Sequence, residues 1–543
     1  MTLSAAGRSG LFPIGPTMPR SFDAGSAERA TTQVALADIR STSFDIPNRI
    51  GGLEVRTGRI APIVTPHQHD HHLGRVHFGG PAEMTAAIES ALATSRTWGR
   101  LPWEDRAAPF LRAADMLEYG PWRERLNAAT MLELSKTTYQ AEIDAACETI
   151  DFIRANVENM VKLYDVQPGS IPGMWNHAEY RPLEGFVLAI SPFNFTCMNN
   201  LAFGPALLGN TVVWKPAESA SLVAHLSMEL LREAGLPDGV INVVYGSGPE
   251  LAPVALAHRD LAAVHFTGST TAFQQIWRTV GDNVTRYRNY PRVVGETGGK
   301  NFVLAHPSAD IETLAVACVR GAYEFQGQKC SAASRLYAPR SLWPELKDRL
   351  VALTETVVVG DPTQSETFVG AVINARQHAK HVAALAQARH DGVVVVGGTT
   401  DDSTGWFVDP TVLEVTDPRS TFITEELFAP VLTAYVYDDA DWESTLGLID
   451  TTTAYGLTGA VFAHDDTAIR QADEALRYAA GNIYFNDKPT GSIVGQQPFG
   501  GARASGTNDK AGTMWNLIRF ASPRSTKRNH LPAVDYRYPH LEP

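Results

Sequence analysis

The stretch that decides the fold runs over residues 186–220 and reads FVLAISPFNFTCMNNLAFGPALLGNTVVWKPAESA. Its opening residues, Phe186–Ser191, form a continuous apolar run that predicts a fully buried strand. Outward from it, the pattern predicts helices at 201–208, 219–234 and 251–257, and strands at 211–214, 240–244 and 262–266. Strands and helices alternating in this way are typical of a doubly wound parallel sheet in an α/β fold.

The ends of these strands carry small and polar residues. They include the turns at 192–195, 215–218, 246–248 and 267–269. Ligands bind at the carboxyl ends of strands in such sheets, and backbone N–H groups at helix starts hold phosphates, so the pattern favours a dinucleotide. Gly246-Ser-Gly248 is only half of the Gly-x-Gly-x-x-Gly fingerprint, because Leu251 replaces the third glycine. Each turn alone is equally well explained as an ordinary strand-to-helix loop.

The flanking segments differ in character. A second α/β region is predicted from 293 to 484, with strands at 301–304, 336–338, 393–396 and 460–463 and a long helix at 311–323. The polar, proline-punctuated segment 165–185 predicts an extended hairpin leaving the domain, and residues 1–45 an irregular arm. The chain is thus expected to hold two or three domains.

Composition narrows the class of protein. The chain has 543 residues, of which 44% are hydrophobic and 19% charged, and a net charge of −13. Such acidity excludes a binder that coats nucleic-acid phosphates, and it excludes attachment to an anionic membrane through a basic patch. The longest apolar runs are too short to span a bilayer. A soluble, acidic, multidomain enzyme is the favoured class.

Four cysteines are too few for a disulfide scaffold. Cys147 and Cys318 fall on apolar helical stripes, where a thiol packs as a small hydrophobe. Cys330 lies instead in the polar loop Gln-Gly-Gln-Lys-Cys-Ser, where we expect Lys329 and nearby N–H groups to lower its pKa and make it a nucleophile. Glu296, flanked by glycines at a predicted strand end, is a candidate partner or a solvated surface acid.

Together these segments resemble the aldehyde dehydrogenase superfamily. The resemblance covers about residues 60–520 and rests on motifs in a fixed order: Pro-Phe-Asn-Phe-Thr with Asn194, Trp214-Lys-Pro216, Phe266-Thr-Gly-Ser269, Gly-Glu-Thr-Gly-Gly-Lys-Asn with Glu296, Gly-Gln-Lys-Cys-Ser with Cys330, Glu425-Glu-Leu-Phe428 and Pro498-Phe-Gly-Gly501. It implies a Rossmann-type NAD-binding domain, an α/β catalytic domain and a small β oligomerisation element.

The resemblance also implies the catalytic roles. Cys330 would attack an aldehyde, Asn194 and the Cys330 backbone N–H would hold the resulting oxyanion, and Glu296 would be the general base that hydrolyses the thioester. NAD is the implied cofactor, since a carboxylate at Glu218 would repel the 2′-phosphate of NADP. The implied cofactor-binding residues are Ser191, Phe193, Lys215, Glu218, Gly246, Gly268, Ser269, Glu426 and Phe428.

Residues 485–503 and 505–512 resemble the branch of the superfamily that oxidises L-glutamate γ-semialdehyde to L-glutamate, the second step of proline catabolism. Phe195 and Phe499 would flank the aliphatic stem of the substrate, and Ser331, Gly491 and Ser492 would anchor its α-carboxylate. One departure from the family pattern is Phe428-Ala-Pro430 in place of Phe-Gly-Pro. The alternatives are an enzyme acting on another small carboxylated aldehyde, such as succinate semialdehyde, and a catalytically silent nucleotide-binding protein.

The expected organisation follows. Residues 46–164 and 185–294 would form the NAD-binding domain, 295–505 the catalytic domain, and 165–184 with 520–543 the element that joins subunits into a homodimer or a higher oligomer. A cytoplasmic location is expected, or the mitochondrial matrix if residues 1–33 are a transit peptide. In the tract His67-Gln-His-Asp-His-His72, alternate histidines on one face of a strand could bind zinc, but we expect a solvated polar strand and no metal.

Overall fold

A computed structural model describes residues 15–541. Its first sheet has seven strands, of which the first five are parallel and the last two antiparallel. In spatial order they are Arg292–Glu296, Leu261–Thr267, Phe186–Ser191, Thr211–Pro216, Ile241–Val243, Asn48–Ile50 and Leu53–Val55. The doubly wound parallel sheet predicted from the sequence is confirmed.

Helices cover both faces of this sheet, which explains why its central strands are apolar throughout. The principal ones are Pro81–Trp98, Trp103–Tyr119, Trp122–Leu134, Thr149–Tyr164, Asn200–Leu207, Ser221–Glu233, Gly248–Leu256 and Thr270–Asp282. Gly185, ahead of the central strand, has φ +135°, and a Cβ there would lie 2.1 Å from the carbonyl oxygen of Asp260. Only glycine fits this entry to the strand.

The second sheet also has seven strands, all of which come from residues 301–485. In spatial order they are Val393–Val396, Thr411–Val415, Val431–Tyr437, Ala333–Pro339, Asn301–Ala305, Thr458–Phe462 and Asn482–Phe485. The helices packed on it are Ile311–Tyr323, Trp343–Glu355, Ala375–Asp391, Trp442–Thr451 and Asp466–Ala475. The chain crosses from the first sheet to the second between Glu296 and Asn301.

A two-stranded ribbon stands beside the sheets. The polar segment predicted to be a hairpin contributes only one strand, Met174–Pro182, and pairs antiparallel with Ala521–Asn529. The expectation of a hairpin within 165–185 was therefore wrong, because the partner strand comes from the C-terminal tail. A separate three-stranded sheet contains Phe44–Ile46, Gln68–His77 and Ile60–Thr65.

The expectation of an irregular N-terminal arm is corrected by the helix Ala27–Ser41, which Ser26 caps and which packs on the helix Trp122–Leu134. Ahead of it, the Thr17 backbone and hydroxyl donate to Asp151, and the Arg20 backbone donates to buried Glu142. The first 14 residues of the predicted arm lie outside the described part of the chain. Among residues 15–541, no helix combines the length and apolar character that crossing a bilayer requires.

Candidate active site

The predicted cofactor-binding residues lie at one edge of the first sheet, where its strands end. Thr267 is paired with Glu296 and Ser191 with Pro216, so these four strands end together, and the turns that follow them converge. Ser269 begins the helix Thr270–Asp282, and its hydroxyl accepts from the backbone N–H of Ala272. The first turn of that helix provides the free N–H groups that suit a diphosphate.

Lys215 lies in the strand Thr211–Pro216, and Glu218, the other residue predicted to contact the adenosine ribose, follows that strand. Lys215 is buried, and burial lowers its pKa while the Glu218 carboxylate opposes the shift. Its ammonium makes no hydrogen bond to the described chain, and a Cβ on Gly248 would lie 3.9 Å from it. A buried cation that has no acceptor among residues 15–541 and lies next to a carboxylate fits the hydroxyl groups of a ribose.

Glu426 and Phe428 precede the second-sheet strand Val431–Tyr437 and contact residues that follow strands of the first sheet. The Gly299 backbone N–H donates to Glu426 Oε1 over 2.9 Å, and a Cβ on Gly298 would lie 2.1 Å from Glu426 Oε2. Phe428 packs edge-on against Phe193 with ring centroids 6.0 Å apart.

The departure at Phe428-Ala-Pro430 is accommodated locally. Phe428 itself takes the left-handed backbone conformation with φ +60°, whereas Ala429 does not. The methyl group of Ala429 therefore brings no left-handed strain to this turn.

Cys330 lies in a tightly held loop. Three consecutive residues before it have left-handed backbones: Phe325 with φ +53°, Gln326 with +57° and Gly327 with +65°. Non-glycine residues in this region store strain that the surroundings must offset. Beyond the turn, the Asn301 side-chain amide donates to the carbonyl oxygens of Cys330 and Ala332, each over 2.8 Å.

The predicted oxyanion donor reaches this loop from the first domain. Asn194 is buried, and its Nδ2 donates to the carbonyl oxygen of Gln328 over 3.1 Å, two residues before Cys330. The structure thus brings the predicted oxyanion donor to the loop that contains Cys330. Donors fixed in advance in this way are the main source of oxyanion stabilisation.

Glu296 is half-buried and held by the Pro498-Phe-Gly-Gly501 motif. The Gly501 backbone N–H donates to Glu296 Oε2 over 2.7 Å. Burial raises the pKa of Glu296 well above its ordinary value, although the Gly501 N–H and the Lys510 ammonium oppose this. A carboxylate with a raised pKa is a stronger base, as the proposed role requires.

The expectation that Lys329 lowers the pKa of Cys330 is wrong. The Lys329 ammonium turns away and pairs with Glu324 over 2.8 Å. Burial raises the pKa of the Cys330 thiol to about 12, and the carboxylates of Glu426 and Glu296 add to the shift. The resting thiol is consequently protonated, and a base or a change of surroundings must activate it.

The predicted substrate residues lie near the same loop. The Ser331 hydroxyl is buried and hydrogen-bonded to the Thr490 hydroxyl over 2.8 Å, which ties the nucleophile loop to Gly491 and Ser492. Phe195 packs edge-on against Phe325 at 6.5 Å between ring centroids. Phe499 is fixed through its backbone, which bridges to Ala511.

The other cysteines and the histidine tract have different surroundings. Cys147, Cys197 and Cys318 are buried, and burial raises the pKa of each thiol.

The expectation of a solvated polar strand is confirmed for part of the histidine tract, since Gln68, Asp70 and His72 are exposed on the strand Gln68–His77. His67, which precedes the strand Gln68–His77, is buried against the Ser135 hydroxyl, and His69 Nε2 lies 2.9 Å from the Asp402 carbonyl oxygen of the second domain. In residues 15–541 the only cluster with metal-ligand spacing is Asp144, Glu148 and Cys197, which contains no histidine.

Several residues that shape the site were not predicted. Asn301 and Thr490 hold the loops around Cys330, and Lys510 approaches Glu296. Asn301 could have been found, because it is a polar residue opening an otherwise apolar strand within the Gly-Gly-Lys-Asn motif.

A doubly wound sheet whose strand ends lie beside a loop cysteine, an amide donor and a half-buried carboxylate fits a nucleotide-dependent oxidoreductase of aldehydes. Residues 55–525 match the model of the aldehyde dehydrogenase family, and the chain belongs to that family.

The chain is similar over almost its full length to several named relatives. It is 47% identical over 532 residues to Delta-1-pyrroline-5-carboxylate dehydrogenase of Agaricus bisporus, with 97% of each chain covered. It is 46% identical to the human mitochondrial Delta-1-pyrroline-5-carboxylate dehydrogenase, covering 96% of this chain and 93% of the relative. The crystal structure of the Mycobacterium tuberculosis enzyme bound with NAD superposes with a TM-score of 0.95 at 48% identity, covering 99% of this chain and 100% of that one.

Proposed function

We propose that this enzyme oxidises L-glutamate γ-semialdehyde, which forms from Δ1-pyrroline-5-carboxylate, to L-glutamate with NAD as the electron acceptor, the second step of proline catabolism. The observation that carries the proposal is the loop of Cys330, held by Asn301 between the amide of Asn194 and the carboxylate-bearing strand end at Glu296. The relatives named for this activity match the chain from end to end.

In the proposed mechanism the Cys330 thiol, which is protonated at rest, first loses its proton to solvent, and the resulting thiolate attacks the aldehyde carbon and forms a C–S bond. The carbonyl oxygen becomes an oxyanion, which accepts hydrogen bonds from Asn194 and from the Cys330 backbone N–H. NAD, when bound, supplies the nicotinamide ring that takes the hydride. Glu296 then removes a proton from the water that attacks the resulting thioester, and the C–S bond breaks to release glutamate and the free thiol.

The proposed substrate contacts supply specificity. The Ser331 hydroxyl, already oriented by Thr490, and the backbone of Gly491 and Ser492 would hold the α-carboxylate. The left-handed backbone of Gly491, with φ +90°, turns this loop. Succinate semialdehyde also has a carboxylate, but its stem is one carbon shorter, so its carboxylate would reach this loop less well while its aldehyde lies at Cys330.

The test is a steady-state comparison of L-glutamate γ-semialdehyde with succinate semialdehyde, using NAD and NADP and following the absorbance of the reduced cofactor. We expect the largest kcat/KM with glutamate γ-semialdehyde and NAD, and no turnover in Cys330→Ala. Turnover that survives in Cys330→Ala would disprove the mechanism, and binding of NAD without turnover of any aldehyde would support the silent alternative.

For assembly we propose a homodimer built on the ribbon of Met174–Pro182 and Ala521–Asn529, because a two-stranded ribbon leaves outer edges that a neighbouring subunit can extend. Light scattering after size exclusion should give a dimer or larger for the full chain and a monomer for a chain ending at 520.

For location we propose the cytoplasm. The alternative of a transit peptide covering residues 1–33 conflicts with the fold, since cleavage there would cut the helix Ala27–Ser41 and remove the groups that bond Asp151 and Glu142. Subcellular fractionation with N-terminal sequencing of the mature protein would decide between the two compartments.

A further inference from the structure

Lys136 is a buried cation just beyond the helix Trp122–Leu134, outside the set of predicted site residues. Only 1% of its side chain is exposed, and its Nζ lies 2.7 Å from Asp144 Oδ2. The same ammonium lies 4.1 Å from the ring centroid of Phe195 and 4.4 Å from that of Phe325. Lys136 thus touches the residue after Asn194 and the first residue of the left-handed turn that leads to Cys330.

Its partner Asp144 holds the loop that carries the oxyanion donor. The backbone N–H groups of Thr196 and Cys197 donate to the two Asp144 oxygens, each over 2.9 Å. Asp144 itself comes from the π-helical turn Glu142–Glu148. Such turns are rare, and they occur frequently at functional sites because they re-aim side chains.

The nucleophile loop is fastened to the residue before Lys136. Gln326 Nε2 donates to the carbonyl oxygen of Ser135 over 3.0 Å and to that of Ala371 over 2.7 Å, while Gln326 Oε1 accepts from the Gly370 backbone. Ser135, with φ +57°, is itself in the left-handed region. The corner Ser135–Lys136 therefore contacts both loops of the candidate active site.

We propose that Lys136, acting through its ion pair with Asp144, is a positioning residue that sets the distance between the Asn194 amide and the Cys330 loop. The inference rests on the proposed function, because it assumes that these two groups act together on the aldehyde. Lys136 touches neither substrate nor cofactor in this role, and it acts through Phe195, Phe325 and the Asp144-bound backbone.

Because the ion pair is buried, it is better suited to fixing one arrangement of the two loops than to stabilising the fold. Both side chains are almost wholly buried, and burial lowers the pKa of Lys136 while Asp144 opposes that shift. Taking two charges out of water costs about as much as their attraction returns, so apolar residues of the same volume would stabilise the fold equally well. An ion pair, unlike an apolar contact, fixes direction as well as distance.

The test compares Lys136→Met, which keeps the length of the side chain and removes its charge, with Lys162→Met as a matched control. Lys162 also pairs with an acid, Glu158, but at an exposed position. We expect kcat to fall about tenfold or more in Lys136→Met, as when an oxyanion donor is misplaced. The Kd for NAD should stay within about twofold, because the adenosine and ribose contacts are elsewhere. Lys162→Met should match the parent enzyme in both.

A second variant covers the case in which Lys136→Met folds poorly because Asp144 is left unpaired. Lys136→Met/Asp144→Asn removes both charges, and the amide oxygen that replaces the carboxylate can still accept one of the two backbone hydrogen bonds. With rates normalised to Cys330 titrated by iodoacetamide, the double variant should keep the lowered kcat. A folded single or double variant with a kcat within about twofold of the parent enzyme would overturn the proposal. Failure of the proposed function is distinguishable, because the parent enzyme would then not turn over the semialdehyde at all.

Discussion

The protonation state of Cys330 offers the sharpest prediction, since its pKa departs furthest from what the sequence suggests. The thiol has a pKa of about 12, raised by burial and by the carboxylates of Glu426 and Glu296. At pH 8 only about one thiol in 10,000 would be a thiolate, against about one in four for a free cysteine with a pKa near 8.5.

The loss of thiolate is partly offset by its greater basicity. With a Brønsted coefficient of about 0.4–0.5, a pKa higher by about 3.5 makes each thiolate roughly 30-fold more reactive. The net expectation is alkylation of Cys330 about 100-fold slower than that of a free cysteine at pH 8. Because the thiol loses its proton only as the pH approaches the pKa, the rate should rise about tenfold per pH unit from 7 to 9 without a plateau.

The assay is labelling with iodoacetamide in the absence of NAD, followed by mass spectrometry of the peptide that contains Cys330. Glu426→Gln should alkylate faster than the parent enzyme, because it removes a negative charge that disfavours the thiolate, while the amide oxygen can still accept from Gly299. A plateau below pH 9, or a rate in Glu426→Gln equal to or slower than that of the parent enzyme, would refute the reasoning. Cys330→Ala gives the background from the buried cysteines.

Three further predictions concern the base, the donor and the N-terminal segment. Glu296→Gln should give a burst of NADH equal to the number of active sites and then a slow steady state, because the thioester forms but is not hydrolysed. Rapid-mixing absorbance measures both phases. A steady-state rate equal to that of the parent enzyme would contradict the role of Glu296. Asn194→Ala should lower kcat by about 10²–10³-fold with the Kd for NAD unchanged, measured by turnover and by fluorescence titration. Removing residues 1–26 should lower Tm in a thermal scan, because Asp151 and buried Glu142 lose hydrogen bonds from Thr17 and Arg20. Removal of residues 1–14 alone is the control. Equal Tm values for the two truncated chains would show that these hydrogen bonds do not stabilise the fold.

The sequence predicted the parts of the fold that depend on local patterns. The strand Phe186–Ser191 and the helix Ile311–Tyr323 have the bounds expected from apolar runs and helical periodicity. The helix Ala27–Ser41 was missed because only three of its residues are buried, so its apolar stripe is sparse within a polar arm. The partner of Met174–Pro182 was missed because it lies more than 300 residues along the chain, beyond any local signal.

In the candidate site, too, the residues marked by local sequence could be predicted and the contacts made only on folding could not. Cys330 and Glu296 could be singled out because a polar loop and paired glycines mark them in the sequence. The direction of the Lys329 ammonium could not be predicted, because its ion pair with Glu324, five residues earlier, forms only once the loop is folded. The pKa of Cys330 depends on Glu426, which the fold brings close from almost 100 residues away.

Because the chain crosses from one sheet to the other between Glu296 and Asn301, the order in which the sheets are made affects when the protein can become active. Glu296 ends the last strand of the first sheet, whereas Cys330 precedes the second-sheet strand Ala333–Pro339. During synthesis the strand that ends at Glu296 therefore comes first, but its carboxylate gains the hydrogen bond from Gly501 only near the end of the chain, after the Cys330 loop has been made. Neither half of the chain alone holds both groups. A chain that is unfinished or half-unfolded is catalytically silent, so measured activity counts only molecules in which both sheets are complete.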